Sequence, residues 1–148
     1  MLSYKEKLPK ITTLIFDIDG VLTNGEVFVF KNEFVRALNT KDAYAIQYAK
    51  RMGLTVLIIT GGESQDLKKA LEDIGVAEVY LRSSNKIDVY NGAKEKYKFT
   101  DEQALYMGDD IPDYPVLKVV GVATCPQDAA VEIKQISQYQ SPIKGGHG

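Results

Sequence analysis

Two carboxylates, Asp17 and Asp19, stand where the apolar run Leu14-Ile15-Phe16 ends, and Gly20 follows at once. A run this short and apolar reads as a strand buried on both faces. Carboxylates at its carboxyl end are costly to desolvate unless a cation or a substrate meets them. In an open α/β sheet that rim is also where ligands bind. Taken alone, the pair also admits a surface turn with two solvated acids, the lesser of the two readings. Later segments decide. Leu54 to Ile59 ends in Thr60-Gly61-Gly62, Val79-Tyr80-Leu81 leads to Lys86, and Ala104 to Met107 ends in Gly108-Asp109-Asp110. In a parallel sheet these ends share one rim. Carboxylates gathered there repel one another unless a hard divalent cation with oxygen ligands joins them, and Mg²⁺ is the natural candidate. One lysine and one hydroxyl beside that cation suit a dianionic phosphate, and the N–H groups of Gly61 and Gly62, at a helix start, would add anion donors. The chemistry is phosphoryl transfer to a carboxylate. The first Asp attacks phosphorus in line, and the second protonates the departing alkoxide and later deprotonates water. Mg²⁺ and Lys86 hold the charge on the transferring group.

The elements that must position these groups follow in order. A β-hairpin is expected over about 25–39, since Val27 to Phe30 and Phe34 to Leu38 are strand formers around Lys31-Asn32-Glu33. Asp42 is expected to cap a helix from Ala43 to Arg51, with Gly53 as its stop. Ser64 or Glu63 opens the next helix, which buries Leu67, Leu71 and Ile74 and closes at Gly75. A helix carries Lys86 in its first turn, a short one surrounds Tyr114 to Val119, and Asp128 starts a last one through Ile136. Strands alternating with helices from Ile11 onward specify a Rossmann-like α/β parallel sheet with helices on both faces. No linker or repeat interrupts residues 1–148, so one domain is expected.

Composition narrows the function classes. The 148 residues are 45% hydrophobic and 26% charged, as in a soluble globular protein. A formal charge of -2 leaves no basic footprint for nucleic acid or an anionic membrane. The apolar runs are far below a spanning length, and Met1 to Lys10 has no apolar signal core. A single cysteine, Cys125, fits a reducing compartment, so a cytoplasmic location is expected, with the thiol a small buried group at a strand end. His147, the one histidine, lies in a glycine-rich tail expected to be a mobile terminus. The hairpin is too apolar to stand free in water, which points to self-association.

The ordered segments DIDGVLT, IITGG, SSNK and GDDIPD resemble the four motifs of the haloacid dehalogenase-like phosphatases. The short chain, with a hairpin after the first motif and no cap domain, is similar to the capless subfamily acting on sugar-acid phosphates. NTKDAYAIQ, GDDIPDYPVL, CPQDAAVEIK and the terminal GGHG carry the same likeness. The resemblance implies Asp17 as nucleophile and Asp19 as general acid/base. It implies magnesium bound by Asp17, the backbone carbonyl of Asp19, and Asp109, with Asp110 and Asp113 supporting that shell. Thr60, Gly61 and Lys86 would bind the phosphoryl group. It further implies a homotetramer packed through the hairpins, in which one subunit helps close the next one's site, and a contact of Asn39, Thr40 or Lys41 with substrate, beside an equal case for a role in the fold alone. The implied reaction releases phosphate from 3-deoxy-D-manno-octulosonate 8-phosphate in lipopolysaccharide biosynthesis. Departures are Asn24 and Ala43, where relatives often carry Asp and Gly, and Gly62, where many carry an Arg or Glu that helps read the sugar.

Three other readings compete with this one. A two-component receiver uses the same residue types, but it carries its acid pair and phosphorylated Asp before Thr and Lys. Here Lys86 precedes Asp109 and Asp110. A non-catalytic oligomerisation module would tolerate loss of Asp17 or Lys86, and both are present. A nine-carbon sialic-type 9-phosphate is the nearest rival substrate, because sugar length is read by a few rim residues and the neighbouring subunit.

Overall fold

The structure, a computed structural model, describes residues 2–148. Six parallel strands form one sheet: β1 (Thr13–Phe16), β4 (Thr55–Ile59), β5 (Glu78–Tyr80), β6 (Ala104–Met107), β7 (Val122–Cys125) and β8 (Tyr139–Gln140). Their order across the sheet is β5-β4-β1-β6-β7-β8. The chain steps outward from β1 through β4 to β5, then crosses β1 to β6 and continues to β8. The strand order therefore reverses between β1 and β6, which opens a crevice at their carboxyl ends. Two further strands, β2 (Phe28–Phe30) and β3 (Glu33–Val35), pair antiparallel as the expected hairpin, with Lys31 and Asn32 at positive φ in the turn.

The strands alternate faces, and this divides the core. Ile15, Leu57 and Tyr106 face α4 (Lys86–Tyr97), α5 (Tyr114–Leu117) and α6 (Val131–Ile136), where they meet Tyr90, Val116 and Ile133. Val56 and Ile58 point the other way, toward Ile46 of α2 (Thr40–Arg51) and Leu71 of α3 (Gln65–Ile74). All of these side chains are at most 5% exposed, so β4, in the middle of its half-sheet, is buried and apolar on both sides.

Several boundaries differ from expectation. Helix α2 starts at Thr40 because the Asn39 side chain accepts from Lys41 N–H, leaving Asp42 inside the first turn. Helix α6 starts at Val131, and Asp128 instead accepts from Gly145 N–H at 3.0 Å. A short helix, α1 (Tyr4–Lys7), opens on a Ser3–Glu6 capping box that the sequence displays openly. The tail is seated. Gly146 N–H donates to Val21 O at 2.9 Å, and a Cβ at Gly145 would collide with Gly20 O. The expected mobile terminus is therefore replaced by a strap over the first loop, with His147 exposed above it.

Candidate active site

Parallel register brings the expected rim together. Phe16 pairs with both Ile58 and Met107, so the residues just beyond these strand ends, Asp17, Thr60 and Asp109, meet at the crevice. A cleft of about 460 Å³ there is lined by Asp17, Asp19, Thr60, Lys86, Asp109 and Asp110, among others. Gly61 also lines it. The β4 and β5 loops are tied by Ser83 N–H to Thr60 O at 2.9 Å and Arg82 N–H to Gly62 O at 2.9 Å, which presents the start of α4 to the rim.

Lys86 is the buried centre, with its side chain 4% exposed. Its Nζ lies 3.0 Å from Asp17 Oδ2 and 2.7 Å from Asp113 Oδ1. A cation in the first turn of a helix opposes the helix dipole, and these two carboxylates offset that cost. Burial pushes the ammonium down, but the pull and hydrogen bonds of Asp17 and Asp113 outweigh it and leave Lys86 raised. Asp113 is fully buried and satisfied: it also accepts from Tyr106 OH at 2.7 Å and from the N–H groups of Asp109 at 3.0 Å and Asp110 at 3.3 Å. Such a carboxylate fixes its neighbours rather than reacting. Asp110 is exposed and caps the turn that follows by accepting from Ile111 N–H.

Asp17 and Asp109 are the strained acids. Burial, then the charge of Asp113, raises Asp17 to about 6 against the opposing pull of Lys86. Burial, followed by Asp17, Asp113 and Asp110, raises Asp109 to about 7. Among the described residues, Asp109 Oδ1 is buried without a hydrogen-bond partner. Oxygens of Asp17, Asp109 and Asp113 lie within 4.8 Å of one another. An orphaned, buried carboxylate oxygen among crowded acids fits a hard divalent cation.

Asp19 projects from the same loop, with both oxygens accepting from Arg36, at 2.6 Å from Nε and 3.1 Å from Nη2. Sequence reasoning missed Arg36. The available signal was a lone guanidinium in the otherwise apolar run Phe34 to Leu38. It also missed Tyr106, although a tyrosine alternating inward on a buried strand needs an acceptor. Of the two expected glycine donors, Gly62 N–H is spent on Thr60 Oγ1 at 3.1 Å, and α3 begins only at Gln65, after its Ser64 cap. Lys41 does not line the cleft; it sits at the exposed start of α2 beside Gly148.

No family model matches the chain. The 3-deoxy-D-manno-octulosonate 8-phosphate phosphatase of Salmonella typhi is 33% identical over 143 residues, covering 96% of this chain and 76% of that protein. The solved phosphatase of that name from Yersinia pestis superposes with a TM-score of 0.93 at 30% identity, over 97% of this chain and 78% of that one. The Moraxella catarrhalis phosphatase of the same name, in complex with a magnesium ion, a phosphate ion and a KDO molecule, shares the fold. Its TM-score is 0.91 at 22% identity, over 95% of this chain and 82% of that one.

Proposed function

Since the chain belongs to the 3-deoxy-D-manno-octulosonate 8-phosphate phosphatases of the haloacid dehalogenase-like superfamily, we propose that it hydrolyses that ester through an aspartyl phosphate on Asp17, with Mg²⁺ as cofactor. The products are the free sugar acid, a precursor for lipopolysaccharide, and phosphate. One observation carries the reading. The Asp17–Lys86–Asp113 cluster is buried beside the unpartnered Asp109 Oδ1, at the point where strand order reverses.

Asp17, Asp109 and the backbone carbonyl of Asp19 are the proposed magnesium ligands, with Asp110 and Asp113 holding the loop that carries Asp109. The bound ion supplies positive charge against the phosphoryl oxygens. Lys86 holds Asp17 in place at 3.0 Å and faces the same oxygens. Thr60 and the N–H of Gly61 orient the phosphoryl group for in-line attack by Asp17. Asp19 stands on the leaving-group side, gives its proton to the departing alkoxide, and takes one from the water that opens the aspartyl phosphate.

Residues 1–148 are read as one catalytic domain with a hairpin at about 25–39. The hairpin is proposed to build a homotetramer in which one subunit helps close the next one's site, and Lys41 is proposed to touch substrate. No helix among the described residues is long and apolar enough to cross a membrane. The buried free thiol of Cys125 fits the reducing cytoplasm as the working location.

The test is initial rates on a panel of sugar phosphates, with and without Mg²⁺, for the wild type and Asp17→Asn. Expected are Mg²⁺-dependent turnover preferring the eight-carbon acid and loss of at least about 10³-fold in the variant. Turnover surviving in Asp17→Asn would refute the mechanism, and preference for a nine-carbon acid would refute the substrate.

A further inference from the structure

We propose that Arg36 is the residue that reads the carboxylate of the leaving sugar acid, and that Asp19 occupies its guanidinium until substrate arrives. The inference rests on the phosphatase reading above. Arg36 follows β3 directly, and its side chain is only 11% exposed. The guanidinium grips Asp19 fork to fork through Nε and Nη2, while Nη1 reaches Phe34 O at 3.4 Å. It also stands over Gly62: a Cβ there would lie 3.5 Å from Arg36 Nη2 and 3.5 Å from Thr60 Oγ1. Arg36 therefore borders the space that a side chain at position 62 would enter, at the edge of the phosphoryl cleft.

A second cleft, of about 840 Å³, opens between the hairpin and the start of α3 and meets the phosphoryl cleft at Gly61 and Gly62. Arg36 is the sole cation among its lining residues, which also include Glu33, Glu63 and Asp66. Arg82, the next cation along, is already paired with Glu63 at 2.9 Å. Lys86, on the phosphoryl side, is committed to Asp17 and Asp113. An ester whose phosphate lies against Asp17 must send its alcohol out past Asp19, the acid that protonates it, and hence past Arg36. An octulosonate carries a carboxylate on that alcohol. A planar guanidinium already holding one carboxylate in a two-point fork is matched to hold another.

The exchange also bears on proton transfer. Both Asp19 oxygens accept from Arg36, so the fork holds the side chain that must reach the departing alkoxide. A substrate carboxylate that takes over the fork releases Asp19 for that step. A neutral leaving group leaves the fork where it is.

The experiment measures kcat and KM for the wild type, Arg36→Lys and Arg36→Gln on 3-deoxy-D-manno-octulosonate 8-phosphate and on arabinose 5-phosphate, which lacks the carboxylate. Calorimetric binding of the free sugar acid to the same three proteins accompanies the kinetics. In Arg36→Gln, KM for the carboxylated ester should rise by about tenfold to about 100-fold more than for arabinose 5-phosphate. Affinity for the sugar acid should fall in parallel, with Arg36→Lys between the two. Equal losses on both esters, or unchanged sugar-acid affinity, would overturn the proposal. Failure of the phosphatase reading would show separately, as absence of Mg²⁺-dependent turnover of either ester by the wild type, whatever calorimetry finds at Arg36.

Discussion

At the residue scale, Asp109 is costly to hold as a carboxylate until a cation or a proton meets it. Its folded value, about 7, lies above the ordinary 3.8 of an exposed Asp, and Asp17 is raised to about 6 for related reasons. With folded values above unfolded ones, the metal-free native state binds more protons than the unfolded chain between about pH 4 and about pH 7. These acids therefore cost stability increasingly as pH rises through that window. The metal-free protein should melt at a higher temperature at pH 5 than at pH 8. Saturating Mg²⁺ should cancel the difference, and Asp109→Asn should reduce it, leaving the share that belongs to Asp17. Mg²⁺ affinity should fall as pH drops from 8 to 6, because protons compete for the same oxygens. Thermal melts with EDTA or Mg²⁺ across that range check both. A metal-free melting point that climbs with pH in the wild type would contradict the assignment of Asp109. At this scale the acids, Thr60 and Lys86 were legible in the sequence because strand ends are marked by apolar runs that stop. Arg36 was not, because its partner Asp19 lies across a hairpin whose folding-back no periodicity encodes.

At the element scale, the first loop is built on Gly20, whose φ of +86° is a conformation that side chains resist. An added Cβ would also fall onto the Asp109 carboxylate. Gly20→Ala should therefore cost about 1–2 kcal/mol in backbone strain and weaken Mg²⁺ binding by displacing Asp109. Gly92 offers the contrast. It lies inside α4, and a methyl group added there would meet nothing within 4 Å beyond its own helix, so Gly92→Ala should stabilise by about 0.5–1 kcal/mol and leave Mg²⁺ binding alone. Denaturant melts and Mg²⁺ calorimetry on the pair separate backbone strain from site geometry; equal Mg²⁺ affinity in both would remove Gly20 from the site's construction. The major strands and helices could be read from the sequence because their apolar periods are long. Strand β8 has two residues and no period at all. It exists through backbone bonds beside β7, such as Gln138 N–H to Ala123 O and Ser141 N–H to Cys125 O. The seated tail escaped notice for a similar reason: its glycines permit close approach to Gly20 and Thr23 but carry no side-chain pattern.

At the scale of the whole molecule, the hairpin is the unfinished surface. Phe28, Val29, Phe30, Phe34 and Val35 are 47% to 73% exposed. Strand pairing puts Val29 opposite Phe34 on one face and Phe28 opposite Val35 on the other, so both faces are apolar. Burying such side chains is worth about 1.5–3 kcal/mol each, enough to support association through contacts on both faces. The same hairpin carries Arg36 at its base, whereas Asp17, Lys86 and Asp109 gather at the carboxyl rim of the central sheet. Assembly and sugar reading should therefore be coupled, and phosphoryl chemistry much less so. Val29→Asp combined with Phe34→Asp places two charges on one face and should reduce the proposed homotetramer to smaller species in light scattering. KM for the octulosonate ester should rise in that variant, while Mg²⁺-dependent turnover of p-nitrophenyl phosphate, which needs only the rim of the sheet, persists. A wild type that scatters as a monomer, or an assembly indifferent to both charges, would show that some other contact covers the hairpin.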